Sequence, residues 1–115
     1  MRTNKVEQFY ESGGANFKFL KSFLLTKICS PSGGFVSSVE LFLTQLAADD
    51  SPGIRARFLG VSSLNIGDLN GMLASVINVS DISHRGLEDA NFKVEDVEAD
   101  CFSFHCIDFE FTEKL

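Results

Sequence analysis

A mainly β domain, with an antiparallel sheet folded into a sandwich or open barrel, is what these 115 residues predict. Three observations carry that reading. Short runs alternate apolar and polar residues with period two, the repeat of a strand with one buried face. Those runs are rich in Phe, Val and Ile, and the chain holds twelve Phe. Turn signals such as "CSPSGG" and "AADDSPG" recur about every dozen residues, as strand connections require.

The length is that of one domain, 1–115, with residues 1–14 as an arm or short helix and 16–111 as the β core. "NKVEQFYE" reads as the helix, capped by Asn4, with Val6, Phe9 and Tyr10 on one side. "NFKFLKSFLLTKI" alternates through Phe17, Phe19, Phe23 and Leu25, interrupted by Lys21. "FVSSVELFLTQL" fits both periods, because Val39, Leu41 and Leu43 alternate while Val39, Phe42, Leu43 and Leu46 are at helical spacing. Its β-branched and aromatic content, and its neighbours, tilt it to a strand.

"IRARFLGV" sends Ile54, Ala56 and Phe58 one way and Arg55 and Arg57 the other, so residues 36–61 read as a hairpin with a long loop. Gly60 is placed for a bend or a close approach. "MLASVINVSDI" is apolar on both parities, which predicts a strand covered on both faces. "ANFKVEDVEAD" and "CFSFHCIDFEF" then form an antiparallel pair across a short loop. Seven rings are expected in the core: Phe17, Phe19, Phe58, Phe92, Phe102, Phe104 and Phe109.

In the last run Phe102, Phe104 and Cys106 have even parity, whereas Ile107, Phe109 and Phe111 are odd. A regular strand would place the two trios on opposite faces. A β-bulge at Cys106–Asp108 would return both to one core, leave Asp108 and Glu110 wet, and aim His105 at solvent or a rim.

Chemistry is sparse. Cys29, Cys101 and Cys106 are too few, too scattered and odd in number for a disulfide scaffold, and no CxxC is present. They read as reduced apolar thiols, with no zinc site and no disulfide. Asp96, Glu98 and Asp100 alternate like Ca²⁺-loop ligands, but Cys101 and Ile107 stand where that loop needs Gly and Glu. His84, His105, Asp81, Asp96 and Glu98 are candidates for acid–base work, yet none falls in a catalytic signature. Cys106 is a poor nucleophile in an acidic, Phe-rich setting. No metal, cofactor or catalytic residue is expected.

Charge is more informative. Residues 1–80 carry seven bases and six acids, and residues 81–115 carry three bases and ten acids, a net of −7. Such a surface disfavours nucleic acid and anionic membrane and favours a basic protein partner. No apolar run approaches the roughly 20 residues of a membrane span, and the N-terminus lacks a signal peptide's apolar centre. The cytoplasm is the expected compartment.

"RARFLGVSSLNIG", the "DIS" at 81–83, "FKVEDVE" and "FSFHCIDFE" together resemble a group of small bacterial proteins. That group shows F-x-G-V, V-x-D-x-E and a closing F-x-C-x-D-F-E strand. Some of its members look like immunity partners of polymorphic-toxin systems. The resemblance covers about residues 55–110 and implies no catalytic residues. It implies a non-enzymatic module that inhibits a toxin. The contact residues expected from the charge pattern are Glu88, Asp89, Glu95, Asp96, Glu98 and Asp100. The competing readings are a small enzyme or ligand-binding β-barrel with a Phe-lined pocket, and a homodimer formed through an edge strand.

Overall fold

A computed structural model of the chain describes residues 5–11, 18–45, 53–69, 76–86, 90–98 and 100–114. Its elements are α1 (Lys5–Glu11), β1 (Phe19–Cys29), β2 (Phe35–Thr44), β3 (Gly53–Leu59), β4 (Ser62–Ile66), β5 (Ile77–Asp81), a 3₁₀ turn (Ser83–Arg85), β6 (Phe92–Asp96), β7 (Phe102–Cys106) and β8 (Asp108–Lys114). Two antiparallel four-stranded sheets form, in the orders β1-β2-β3-β8 and β4-β7-β6-β5. They pack as a sandwich and do not close into a barrel.

The first sheet is built from hairpins. β1 pairs with β2 from Phe19↔Thr44 to Cys29↔Phe35, with a register shift between Leu20 and Ser22. Their turn closes with the Gly33 N–H on the Ser30 carbonyl and the Ser30 N–H on the Gly34 carbonyl, both at 3.0 Å. Gly33 (φ 96°) and Gly34 (φ 76°) take backbone angles that side chains resist there. The ambiguous run from Phe35 is a strand, because β1 and β3 both hydrogen-bond to it. Its period-two set, Val39, Leu41 and Leu43, is the one that is buried. On β3, Ile54, Ala56 and Phe58 are buried while Arg57 is exposed, as alternation predicts.

The parity switch after Cys106 is real, but its cause differs from the bulge expected within one strand. β7 ends at Cys106 in one sheet, and β8 begins at Asp108 in the other. Ile107 is the hinge. It is half-exposed rather than in the core, and its N–H bonds the Leu59 carbonyl at 2.9 Å. β3 leaves its sheet for β4 at the same corner through Gly60 (φ 65°), whose missing Cβ would stand 2.5 Å from the Ile107 side chain. A chain that changes sheet must change which parity faces the core, so both trios can be apolar.

The core is therefore a run of rings contributed by both sheets. Phe58 stacks on Phe109 at 5.6 Å and meets Phe104 edge-on at 5.2 Å, while Phe92 meets Phe109 at 5.0 Å. Phe58, Phe102, Phe104 and Phe109 are buried as expected. Phe19 and Phe92 are only half-buried, because they sit at sheet margins, and Phe17 lies outside the described residues. α1 closes the side of the sandwich between β5 and β8. Its Phe9 is buried against Phe109 and Phe111 at 6.4 and 5.7 Å.

β5 corrects a further expectation. It is an edge strand with one buried parity, Ile77 and Val79, while Asn78 and Ser80 are half-buried on the outer face. Residues 72–75 of the run lie outside the described residues. Tyr10 covers this edge, its hydroxyl accepting the Val79 N–H at 3.0 Å and donating to Asn78 Oδ1 at 3.1 Å.

Candidate partner-binding surface

The acidic segment folds as β6, a tight turn and the start of β7, and its members do not share one fate. Asp96, the last residue of β6, lies on the inward parity and is 1% exposed. Its Oδ1 accepts the N–H groups of Val76 and Glu98, each at 3.2 Å, and its Oδ2 accepts that of Cys101 at 3.3 Å. A carboxylate surrounded by backbone donors satisfies groups that the turn would otherwise bury unpaired. Asp96 therefore holds the turn and is not available to a partner, contrary to the surface role its charge suggested.

Glu98 and Asp100 project from the same turn and are exposed. Asp100 takes φ 52°, a left-handed conformation that Asp and Asn tolerate better than most side chains. Glu95 stands on the outer face of its sheet, half-buried, with Lys93 Nζ 3.7 Å from its Oε2 and Asn78 Nδ2 3.4 Å from its Oε1. Its charge is thus paired with Lys93 within the sheet. Glu88 and Asp89 lie outside the described residues.

A carboxylate that the pattern in 81–115 did not reveal joins this end. Asp68 is exposed, and its carbonyl accepts a hydrogen bond from the Cys101 thiol at 3.5 Å. The Gly67 N–H bonds the Cys101 carbonyl at 2.6 Å, tying the two segments together. Beside them an open cleft of about 360 Å³ is lined by Asn65, Gly67, Asp100, Cys101, Phe102 and Ser103. Two apolar side chains stay exposed here, Val97 in the turn and Ile66 at the end of β4. The only sequence signal for Asp68 is its place in a Gly- and Asn-rich loop.

The other candidate residues do not assemble into a reacting centre. Asp81, just before the 3₁₀ turn, accepts from the Ser83 hydroxyl at 2.6 Å and from its N–H at 2.9 Å. The hydroxyl bond first, then the N–H bond and more weakly His84, hold its carboxyl below the usual range against a small opposing effect of burial. Register puts Asp81 opposite Phe92 and Ile77 opposite Asp96, so the two carboxylates lie four residues apart along β6, about 13 Å. His105 is on the outer face, opposite Lys93 and Ser62. Burial, and then the charges of Asp96, Asp68 and Asp100, push the Cys101 thiol up. Burial, and to a lesser degree Asp108, push Cys106 up to about 12. Both thiols are protonated at neutral pH, which is the wrong state for nucleophilic attack. Among the described residues, no group of three or more His, Cys, Asp or Glu is placed to hold a metal ion.

The fold and this surface define a small antiparallel β-sandwich whose exposed acids are presented on a turn, not gathered into a pocket. The sequence matches the family described as immunity protein PIM8 over residues 1–112, and the chain belongs to that family. An immunity protein is an inhibitor, and its family role implies a toxin as partner. No curated protein and no solved structure matches the chain. No described helix is long and apolar enough to cross a membrane.

Proposed function

We propose that this immunity protein holds a basic face of its toxin against the end of the sandwich formed by the β6–β7 turn. Glu98 and Asp100 are the principal contacts, with Asp68 beside them and Glu95 at the margin on the sheet face. The observation that supports this most is the arrangement of exposed carboxylates from two chain segments near the exposed side chains of Val97 and Ile66. Opposed charge speeds the encounter, and apolar side chains that lose water on contact supply much of the affinity. Asp96 contributes by fixing the turn that aims its neighbours.

The toxin is identified by capture from the native host on the immobilised protein, followed by mass spectrometry. Stopped-flow association rates are then compared between the native chain and the double variant Glu98→Lys, Asp100→Asn. Asparagine tolerates the left-handed position, so the fold is retained. The variant should associate about tenfold more slowly at low salt, with a flatter salt dependence. An unchanged rate at low salt, or an acidic toxin surface at the contact, refutes the reading.

A further inference from the structure

The four sheet edges differ in how they are protected. β5 is covered by Tyr10, β8 lies against α1, and β4 is five residues long with a register shift and a left-handed Ser63 (φ 53°). β1 is an edge of eleven residues whose only irregularity is at Lys21. Its outer face and tip are apolar: Leu24 is 56% exposed, Ile28 48%, and Phe35 across the turn 70%, with Leu25 and Val36 also exposed. Leu24, Ile28 and Val36 share the outer face, and Leu25 and Phe35 have the opposite parity, so the hairpin exposes apolar side chains on both faces of this edge.

We infer that β1 pairs antiparallel with β1 of a second copy, in a two-fold register centred on Thr26. Residues that face each other in such a pair point to the same side of the sheet, so only pairings whose residue numbers sum to an even value join the sheets continuously. Centring on Leu24 places Lys21 opposite Lys27, and centring on Lys27 places that lysine opposite itself. Both put like charges face to face. Centring on Leu25 draws the irregular Lys21 into the ladder, opposite Cys29.

The Thr26 register avoids all three faults. It uses residues 22–30, all beyond the irregularity at Lys21. It sets Leu24 against Ile28 of the second copy, twice, on the outer face, flanked by Val36, which already pairs with Ile28. On the other face Lys27 meets Leu25. Nine residues pairing along one edge make an interface at the low end of the specific size range, which suits a reversible dimer. It is isologous and closes on itself. Its centre, Thr26, lies opposite Ser38 toward the corner at Leu59, while Phe23 near its other limit meets Phe102 at 5.4 Å; the pairing is inferred independently of how the toxin is bound.

Sedimentation velocity of the full chain from about 1 to about 200 μM tests it directly. The native protein should shift from monomer to dimer across that range. The double variant Leu24→Asp, Ile28→Asp should weaken association at least tenfold, with unchanged circular dichroism. In a Cys29→Ser background, Thr26→Cys should form a disulfide-linked dimer under mild oxidation, because those two residues face each other across the two-fold axis. Leu25→Cys in the same background should not. A monomer at every concentration overturns the proposal, as does a dimer that the aspartates leave intact. Preferential cross-linking through Leu25→Cys overturns the register.

Discussion

The two ends of this sandwich make opposite use of their exposed surface. At one end, the β6–β7 turn spends a buried carboxylate on its own backbone and presents Glu98 and Asp100 to water. At the other, the tip of the β1–β2 hairpin leaves Ile28, Phe35 and Val36 exposed. Residues 18–39 hold three lysines and no acid, whereas residues 81–115 are strongly acidic. The acidic end suits steering of a basic partner over distance. The hairpin end suits short-range contact, where shape and strand pairing decide the outcome.

The sharpest way to break this comparison is to remove what the ends share. Phe104 lies in the core between them, buried against Phe58 and stacked near Phe102 at 6.3 Å. Phe104→Ala should cost about 3–5 kcal/mol in denaturant unfolding, a large part of a small domain's stability. Both ends should lose protection from hydrogen exchange together. Survival of one end alone would show that they are not parts of one cooperative unit.

A gentler experiment sharpens it. Cys29 sits at the exposed hairpin end, Cys101 among the carboxylates of the other end, and Cys106 inside. With a thiol reagent at about pH 8, Cys29 should react at least tenfold faster than Cys101, and Cys106 only on unfolding. Burial and the three nearby acids disfavour the Cys101 thiolate, and removing the charge in Asp100→Asn should narrow the gap. Equal rates for Cys29 and Cys101 would contradict the electrostatic contrast between the ends.

Much of the fold was legible because it depends on local alternation. The hairpins, the strand identity of the Phe35 run, the antiparallel β6–β7 pair and the inward rings all follow from period two and turn composition. The contact set was less so, for a physical reason. Asp96, Glu98 and Asp100 look alike in sequence, but the role of Asp96 is set by the N–H groups of Val76 and Cys101, and Val76 is twenty residues away. Asp68 reaches the same end from a loop more than thirty residues earlier. The switch at Ile107 was visible as a change of parity, but a bulge and a change of sheet leave the same trace in a linear pattern. Lys93, two residues before Glu95 on the same strand, is a local neighbour, whereas Asn78 reaches Glu95 only once β5 pairs with β6.

The division of labour among neighbouring acids is the claim on which the account turns, and paired unfolding measurements test it most directly. In urea at neutral pH, Asp96→Ala should lose about 2 kcal/mol or more, because three backbone donors are left without their acceptor. Asp100→Asn should stay within about 0.5 kcal/mol of the native chain, as exposed substitutions away from structural features do. Equal losses, or a larger loss at Asp100, would contradict the account.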